Sequence, residues 1–391
     1  ARIWIDGNES RCYNNYVKGL RTVATFVDHD GTVISEQVVE PGAQPELPKN
    51  PVRPGYRFMG WDTDFSEITK TTTVTATYRE IEPMQKYGDF EIVGDWVWGS
   101  DVASLGADTI IERSAKNGVT DIYLLVKGVG GTLGYNKTAF PENCSREDQD
   151  VLQEMIDAGH AVGIRIHAWL VTDQDETYKA NNPESGMWHY KRARDNENIT
   201  PYDEGYNAYM AAIATEIATN YEIDGIHLDY IRYNHLANGW SETDFANLEA
   251  MGANIENVKY LIRKTFYQNQ LDLNDTVDAD YIFNQYRAGD PDALLIGEYR
   301  RNNVMDFGMM IRDTAKAINP DLIISGALMP EGGYDQAFAD LHYGQNYEDA
   351  AELYDYVCPM AYTGSYADGS PEWFADIAKV AVEKGNKVVM G

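Results

Sequence analysis

A histidine and a carboxylate alternate with apolar residues in the segment 224–233, whose sequence is DGIHLDYIRY. Residues two apart in a β-strand share a face, so Ile226 and Leu228 are predicted to point one way. His227 and Asp229 are then predicted to point the other way. A carboxylate at the carboxyl end of a strand, such as Asp229, can act as an acid, a base or a nucleophile.

Two further segments show the same alternation of polar and apolar side chains. In residues 163–170 (GIRIHAWL), the side chains of Arg165, His167 and Trp169 share one face. In the earlier segment, residues 120–127, Lys127 lies on the polar face. Barrels with a purely structural interior are filled with Val, Ile and Leu. An unpaired buried charge costs on the order of several kcal/mol. The sequence therefore predicts a polar pocket where these strands end.

The elements that must position these residues are short apolar runs alternating with helix-like segments. This alternation is typical of βαβ units and a parallel sheet. We predict seven strands, at Glu91–Trp98, Thr120–Val126, Ala161–Leu170, Gly225–Tyr233, Leu322–Met329, Tyr356–Tyr362 and Lys387–Met390. Helices are predicted between them, including Arg146–Ala158, Gly205–Asn220 and Asn303–Ile318.

The expected fold class is therefore α/β, with a (β/α)₈ barrel of the TIM type that lacks its last strand in this chain. A closed barrel needs eight strands, because an open edge leaves backbone groups unpaired. We therefore expect the natural protein to continue beyond Gly391.

Four segments are predicted along the chain. They are the end of an upstream β segment (1–20), a small all-β domain (21–80), a linker (81–88) and the barrel (89–391). The all-β domain contains TFVDHDGTVISEQVVEPG, GYRFMGW and VTATY. It closely resembles the Listeria–Bacteroides repeat of bacterial surface proteins. The resemblance implies a β-grasp-like spacer or adhesion module on a secreted or cell-surface protein.

The barrel segment also resembles a known family. YEIDGIHLDYIRYN is similar to the strand-four motif of a bacterial glycosyl-hydrolase-like family related to glycoside hydrolase family 10. EYRRNNV, NPDLIISGALMP and YGQNYEDAAELYDYVCPMAY agree with later segments of that family in the same order. Tyr299 and Asn302 depart from its usual Trp and Asp, and residues 234–296 form a long insertion. The resemblance covers roughly residues 90–391 and implies a glycoside hydrolase.

Glycoside hydrolysis needs two carboxyl groups that flank the scissile bond. One protonates the leaving oxygen, and the other attacks the sugar carbon or activates a water molecule. Asp229 fits the ionised partner, and Arg232 or His227 is expected to help hold it charged. The first candidate for the acid is Glu331, directly after the fifth predicted strand, and the second is Glu298. Two further carboxyl groups stay open as candidates, Asp95 and Asp173.

Several other residues are predicted to bind substrate. Arg300 and Arg301 could hold a sugar carboxylate, because a guanidinium fork matches its shape, or could instead pair with neighbouring acids. His167 belongs to the predicted polar pocket. Aromatic side chains with a flat apolar face suit sugar rings, and the candidate platforms are Trp98, Trp169, Tyr135 and Tyr362.

Composition narrows the range of partners. The formal net charge of −30 repels nucleic acid phosphates and anionic membranes. No apolar run approaches the roughly 20 residues that a membrane-spanning helix needs. The three cysteines are far apart and match no metal spacing. The acidic run LDLNDTVDAD (271–280) lacks the central glycine of a calcium loop and is interpreted as a solvated loop. We predict neither metal nor cofactor.

Three functions follow from these patterns. The leading hypothesis is a glycoside hydrolase that acts on a polysaccharide or oligosaccharide. The alternative is a non-catalytic glycan-binding surface protein on the same barrel, because a fold does not guarantee activity. A metal-dependent amidase or deacetylase is disfavoured, because the sequence lacks the usual His and Asp ligand set.

Overall fold

A computed structural model describes residues 22–53, 55–80, 90–146, 148–191, 193–366 and 369–391, with the backbone alone for 193–197. The chain divides into two compact units. The smaller contains the described residues 22–80 together with 111–118 and 157–164, and the larger contains the remainder. The predicted upstream β segment and the linker lie outside the described residues.

The smaller unit contains a four-stranded sheet. Its strands are β1 (Thr22–Val27), β2 (Val33–Val39), β3 (Tyr56–Trp61) and β4 (Thr72–Glu80). They are ordered β2-β1-β4-β3, with β1 and β4 parallel and the outer pairs antiparallel. Alternate residues Ala24 and Phe26 are buried against Ile68 and Val74, as a half-buried strand requires. The prediction of an all-β N-terminal region is confirmed.

The larger unit is built around a curled parallel sheet of six strands. They are β5 (Gly94–Trp98), β6 (Asp121–Lys127), β7 (Arg165–Val171), β10 (Gly225–Asp229), β11 (Ile323–Leu328) and β12 (Tyr356–Pro359), adjacent in chain order. A hairpin of β8 (Gly186–His189) and β9 (Ala193–Ile199) follows β7. The seventh predicted strand is represented by one parallel bridge, between Val357 and Val388. The predicted α/β class with a parallel sheet is confirmed.

Eleven helices of six or more residues lie in the described chain. They are α1 (Gly99–Leu105), α2 (Ala107–Lys116), α3 (Val151–Val162), α4 (Glu176–Asn181), α5 (Glu204–Asn220), α6 (Glu242–Ala250), α7 (Ile255–Phe266), α8 (Tyr281–Arg287), α9 (Pro291–Ile318), α10 (Tyr347–Leu353) and α11 (Pro371–Glu383). Short helical turns occupy Pro141–Asn143, Pro183–Ser185, Gln268–Gln270, Pro330–Gly333, Gln336–Phe338 and Ala339–Tyr343.

The helix before β11 begins twelve residues earlier than predicted, at Pro291 rather than Asn303. The Asp290 carboxylate accepts hydrogen bonds from the backbone N–H groups of Asp292 and Ala293, and proline at the first position is already suited to the helix. The helix therefore includes the whole EYRRNNV motif (298–304), of which only Asn303 and Val304 were predicted to be helical.

The insertion between β10 and α9 is a helical module, formed by α6, α7 and α8. Its core includes the buried side chains of Leu248, Leu261 and Ile262, which pack with Ile296 of α9. In its acidic run, Asp275 is paired with Lys264 and accepts a hydrogen bond from the Tyr260 hydroxyl at 3.0 Å. The charge of Asp275 is thus used in local contacts.

Candidate active site

A cavity of about 940 Å³ opens at the carboxyl ends of the parallel strands. Each of the six strands contributes to its walls, either by one of its last residues or by the residue just after it: Trp98, Val126, Trp169, Asp229, Met329 and Met360. Ligands of parallel α/β sheets and barrels bind at this end of the strands. The volume is at the upper end of the roughly 300–1,000 Å³ found for small-molecule sites.

Asp229 is the last residue of β10 and the only carboxylate that lines this cavity in the described chain. The indole N–H of Trp169 donates to its Oδ2 at 3.0 Å, and the backbone N–H of Tyr230 donates to its Oδ1 at 2.7 Å. Burial has the largest effect on the pKa of Asp229 and raises it above its usual value, although the Arg232 guanidinium and these two donors each oppose the rise. The carboxylate is therefore fixed in orientation, with its ionised form stabilised by three separate groups.

The backbone directly after Asp229 is unusual. Tyr230 has φ of 56°, and it is the only non-glycine residue of the described chain in the left-handed region. Such a conformation costs about 1–3 kcal/mol and is found mainly at functional sites. It ends the strand four residues earlier than predicted. The chain then turns so that the Arg232 guanidinium lies 4.5 Å from the centre of the Tyr230 ring.

Arg232 is shared among three buried carboxyl groups. Its Nη1 lies 3.9 Å from Oδ1 of Asp229, and its charge also lowers the pKa of Asp173 and Glu331. Burial is the larger influence on these two groups and raises the pKa of each, most strongly for Asp173. One cation cannot fully compensate the negative charges of three nearby carboxyl groups. The groups whose charge it compensates least are therefore favoured to keep their protons.

The loop that carries Asp173 is held by a buried lysine. The ammonium group of Lys127 donates to the carbonyl oxygens of Val171 and Gln174 at 2.9 and 3.0 Å, and its charge is paired with Asp175 at 3.2 Å. Both carboxyl oxygens of Asp173 are buried and have no hydrogen-bond partner among the described residues. Lys127 is therefore buried and supports the loop beside Asp229, and it does not line the cavity.

His167 and His227 also point inward, but neither lines the cavity. His167 pairs through Nε2 with Asp121 at 2.8 Å. His227 contacts the Ser325 hydroxyl through Nδ1 at 2.9 Å, and its Nε2 accepts a hydrogen bond from the Trp96 indole at 3.3 Å. The prediction that His227 helps to hold Asp229 charged is therefore wrong, because both of its nitrogens are occupied elsewhere in the sheet interior.

The buried His227 leads to a prediction about acid stability. Burial lowers its pKa from 6.5 to about 3, so the folded state does not take up the proton that the unfolded state binds below about pH 6.5. This group's contribution to the free energy of unfolding should fall as the pH drops from 6.5 toward 3, by at most about 1.4 kcal/mol per pH unit. In urea unfolding at pH 7, 5.5 and 4.5, His227→Gln should show a shallower pH dependence than the wild type. An unchanged slope would contradict the assignment.

Four other predicted site residues lie away from the cavity. Arg300 is fully buried and donates to the carbonyl oxygens of Asn238 and His235 at 2.8 and 3.0 Å. Arg301 is paired with Asp340 at 2.7 Å and also with Asp349. Glu298 is exposed on helix α9, and Tyr135 is buried with its hydroxyl donating to Glu216 at 3.0 Å. Of the two possibilities for the arginines, the structure favours pairing within the protein.

Arg300 is expected to be a stability residue. Its guanidinium stacks 3.8 Å from the centre of the Tyr233 ring and ties the loop after β10 to helix α9. Arg300→Ala leaves buried carbonyl groups without donors and should lower the free energy of unfolding by about 3 kcal/mol or more. Guanidinium chloride unfolding measures this change. The exposed Arg113 is the matched control, with an expected change within about 0.5 kcal/mol for Arg113→Ala. Equal effects in the two variants would contradict the role.

The structure brings three of the predicted aromatic platforms to the cavity. Trp98 and Trp169 meet edge to face with their ring centres 5.6 Å apart, and Tyr362 lines the wall that follows β12. Trp98 and Tyr362 expose 55% and 54% of their surface, so their rings are available to a ligand. Their role in binding stays a prediction.

Sequence reasoning missed some cavity residues. Tyr230 and Arg146 line the cavity, as do Tyr366 and the two methionines that follow β11 and β12. The motif HLDYIRY contained the signal for Tyr230, because the residue after a carboxylate at a strand end usually begins a loop. Arg146 and Tyr366 lie in loops, where side-chain direction has no periodicity to reveal it.

Comparison with known proteins agrees with this geometry. Residues 96–384 match the family model described as "Putative glycosyl hydrolase domain". The chain belongs to this family. Residues 23–80 match the Listeria–Bacteroides repeat domain. Over 174 residues, the chain is 28% identical to an S-layer-related protein of Niallia circulans. The match covers 35% of the chain and 11% of that relative.

Solved structures show the same type of fold in glycoside hydrolases. The glycoside hydrolase domain of PgaB (BpsB) from Bordetella bronchiseptica aligns with a TM-score of 0.54 and 13% identity, covering 74% of this chain and 80% of that one. The catalytic domain of β-amylase from Paenibacillus polymyxa aligns with a TM-score of 0.52 and 12% identity, covering 76% and 85%. At these identities the likeness shows the fold alone. Among the described residues, no helix has both the length and the hydropathy to cross a membrane.

Proposed function

We propose that this chain is a glycoside hydrolase that cleaves glycosidic bonds of a polysaccharide or oligosaccharide with a pair of carboxyl groups. The observation that carries the proposal is the position of Asp229. It lies in the wall of the cavity between the ends of six strands, beside the exposed ring of Trp98 and the indole of Trp169. Membership of the glycosyl hydrolase family supports the same chemistry.

Asp229 is proposed as the ionised partner. The indole N–H of Trp169 and the backbone N–H of Tyr230 donate to opposite oxygens of its carboxylate, so the group is held in one orientation. In this orientation it either attacks the anomeric carbon or takes a proton from an attacking water molecule. The separation between its carboxyl group and that of the acid decides between retention and inversion of configuration.

Glu331 is proposed as the general acid. It lies in the turn Pro330–Gly333, directly after the cavity residue Met329, and does not itself line the cavity. Its side chain is 9% exposed, and its Oε2 is buried without a hydrogen-bond partner in the described chain. Burial raises its pKa, so it keeps its proton at a higher pH than an ordinary glutamate and can give it to the leaving oxygen.

The finer description of the fold is also part of the proposal. We propose a TIM-type (β/α)₈ barrel related to glycoside hydrolase family 10, supported by the strand-four motif and by the sequential order of the parallel strands. We further propose a secreted or cell-surface location and association with the cell wall. The Listeria–Bacteroides repeat and the similarity to an S-layer-related protein support this location.

A hydrolysis screen tests the proposed function. The chain is incubated with a library of bacterial, plant and animal polysaccharides, and new reducing ends are measured over time. Release that saturates with substrate concentration and disappears in Asp229→Asn is the expected result. Binding of a glycan by wild type and Asp229→Asn alike, without release by either, would contradict it and favour the alternative of a non-catalytic glycan-binding protein.

A further inference from the structure

A second group of aromatic rings lies next to the cavity, beyond its wall. The Tyr366 ring, which lines the cavity, is 5.0 Å from the ring of Trp373, and Trp373 is 6.2 Å from Tyr334 between ring centres. We call these three residues the outer ring cluster. Tyr334 exposes 54% of its surface, and Trp373 and Tyr366 are partly exposed. The outer ring cluster therefore extends the aromatic surface of the cavity to the outside of the protein.

The outer ring cluster is held by rigid elements. Trp373 lies in the first turn of α11, where its backbone N–H donates to the capping hydroxyl of Ser370 at 3.1 Å. A side chain at Gly333 would come within 3.1 Å of the backbone of Ile377, so α11 packs directly against the turn that carries Glu331. This close approach favours glycine at position 333 and places the helix that carries Trp373 directly beside that turn.

The outer ring cluster is connected to the proposed acid. The backbone N–H of Tyr334 donates to the Glu331 carbonyl oxygen at 3.0 Å, and the Glu331 carboxyl group is near enough to the Tyr334 hydroxyl to help raise its pKa. A general acid lies on the side of the leaving group, since it protonates the oxygen that departs. The outer ring cluster, next to Glu331, is therefore on the side toward which the departing portion of the sugar chain extends.

We infer that Tyr334, Tyr366 and Trp373 form a second sugar-binding subsite for the leaving-group side of an extended glycan, so that cleavage occurs within a chain. This inference rests on the proposed function. Tyrosine and tryptophan combine a flat apolar face with a polar edge, which matches the apolar faces and polar rims of sugar rings. Exposed aromatic surface that is continuous with a ligand cavity marks an interaction site. Because the surface continues from the cavity, the glycan proposed to bind in the cavity is favoured as its ligand over a protein partner.

The substrate that this arrangement fits has several linked sugar units. Trp98 supplies a ring at one side of the cavity, and the outer ring cluster supplies rings on the side of Glu331. A single terminal sugar would reach only the cavity and leave the outer rings unused. The expected activity is therefore endo-acting, and it increases with chain length until the outer subsite is filled.

The test uses defined oligosaccharides of two to eight units, the polymer from which they derive, and an aryl glycoside that carries no sugar on the leaving side. For the wild type, kcat/KM should rise with the number of units. Trp373→Ala should lower kcat/KM on the longest oligosaccharides about tenfold and leave the aryl glycoside unchanged. Trp373→Phe, which keeps a ring, should restore most of the loss. Phe90→Ala, which removes another exposed ring, is the matched control.

Binding measurements separate the two hypotheses. In affinity electrophoresis with the same polymers, Trp373→Ala and Tyr334→Ala should be retarded less than the wild type and Phe90→Ala. If the rate of hydrolysis did not depend on chain length and did not change in either variant, the inference of a second subsite would be wrong. The proposed function would stand. Ring-dependent binding without any hydrolysis would support the subsite and contradict the hydrolase. Neither binding nor cleavage of any glycan would contradict both.

Discussion

Asp229→Asn is expected to lower kcat/KM by about 10³-fold or more on any glycan that the wild type cleaves. The substitution keeps the size of the side chain and leaves an oxygen that can still accept from Trp169. It removes the negative charge that attacks the sugar or activates water. Because the aromatic walls of the cavity are unchanged, we expect the variant to retain glycan binding. Steady-state kinetics and affinity electrophoresis on the same glycan measure the two effects.

Asp95 provides the matched control for this experiment. It lies on β5, is exposed, and is not among the residues that line the cavity. Asp95→Asn should leave kcat/KM within about twofold of the wild type, since it removes a charge of the same kind far from the reacting bond. If Asp229→Asn behaved like Asp95→Asn, the assignment of Asp229 to the chemistry would be wrong.

Glu331→Gln should reduce the rate by about 10² to 10⁴-fold on substrates with an ordinary sugar leaving group, because glutamine has no proton to donate. The loss should be much smaller on an aryl glycoside with an acidic leaving phenol, which departs without protonation. The wild type is active while Glu331 is protonated, so its activity should fall as the pH rises through the raised pKa of this group. This alkaline decline should disappear in Glu331→Gln.

Two other carboxyl groups serve as controls for Glu331. Glu298 is exposed on α9, and Glu298→Gln should leave both the rate and the pH profile unchanged. Asp173 is buried, and burial raises its pKa well above the usual value, so Asp173→Asn imitates the protonated form that burial favours. We expect only a small change in this variant. A full loss in Asp173→Asn with none in Glu331→Gln would move the role of the acid to Asp173.

The charge arrangement explains why these three carboxyl groups are expected to behave differently. Arg232 is close to Asp229 but also acts on Asp173 and Glu331, and a single guanidinium cannot compensate three buried negative charges. Asp229 has two further hydrogen-bond donors directed at its oxygens. Both oxygens of Asp173, and Oε2 of Glu331, have no hydrogen-bond partner among the described residues. Burial raises the pKa of all three groups, but only Asp229 has two hydrogen-bond donors on its carboxylate, so we expect the negative charge to be best accommodated there.

Local patterns in the sequence were sufficient for much of the fold. Largely apolar segments of seven to ten residues predicted the six parallel strands to within a few residues, because buried parallel strands are continuous hydrophobic segments. The largest errors came where tertiary packing decides the ends of elements. Helix α9 is 28 residues long because it packs against helix α5 and the helical insertion, and β10 ends at Asp229 because Tyr230 takes a left-handed conformation.

The sequence by itself determined which residues face the interior of the sheet. The two-residue period of strands directed His167, Trp169, His227 and Asp229 inward, and the order of strand and loop placed Asp229 at the carboxyl end. Periodicity depends only on neighbours along the chain, so one sequence is enough to reveal it. The same two-residue period is found whether the inward-facing side chains bind a ligand or form hydrogen bonds with one another.

Only the tertiary structure decided which of the polar residues meet a cavity. Arg300 and Arg301 are paired with groups about 40 to 65 positions away, and His227 with a serine 98 positions away. The same long-range folding brings Arg232 to Glu331 and places the outer ring cluster next to it. A pattern within a short segment carries no information about which distant groups arrive beside it, and the protonation state and accessibility of each candidate depend on those groups.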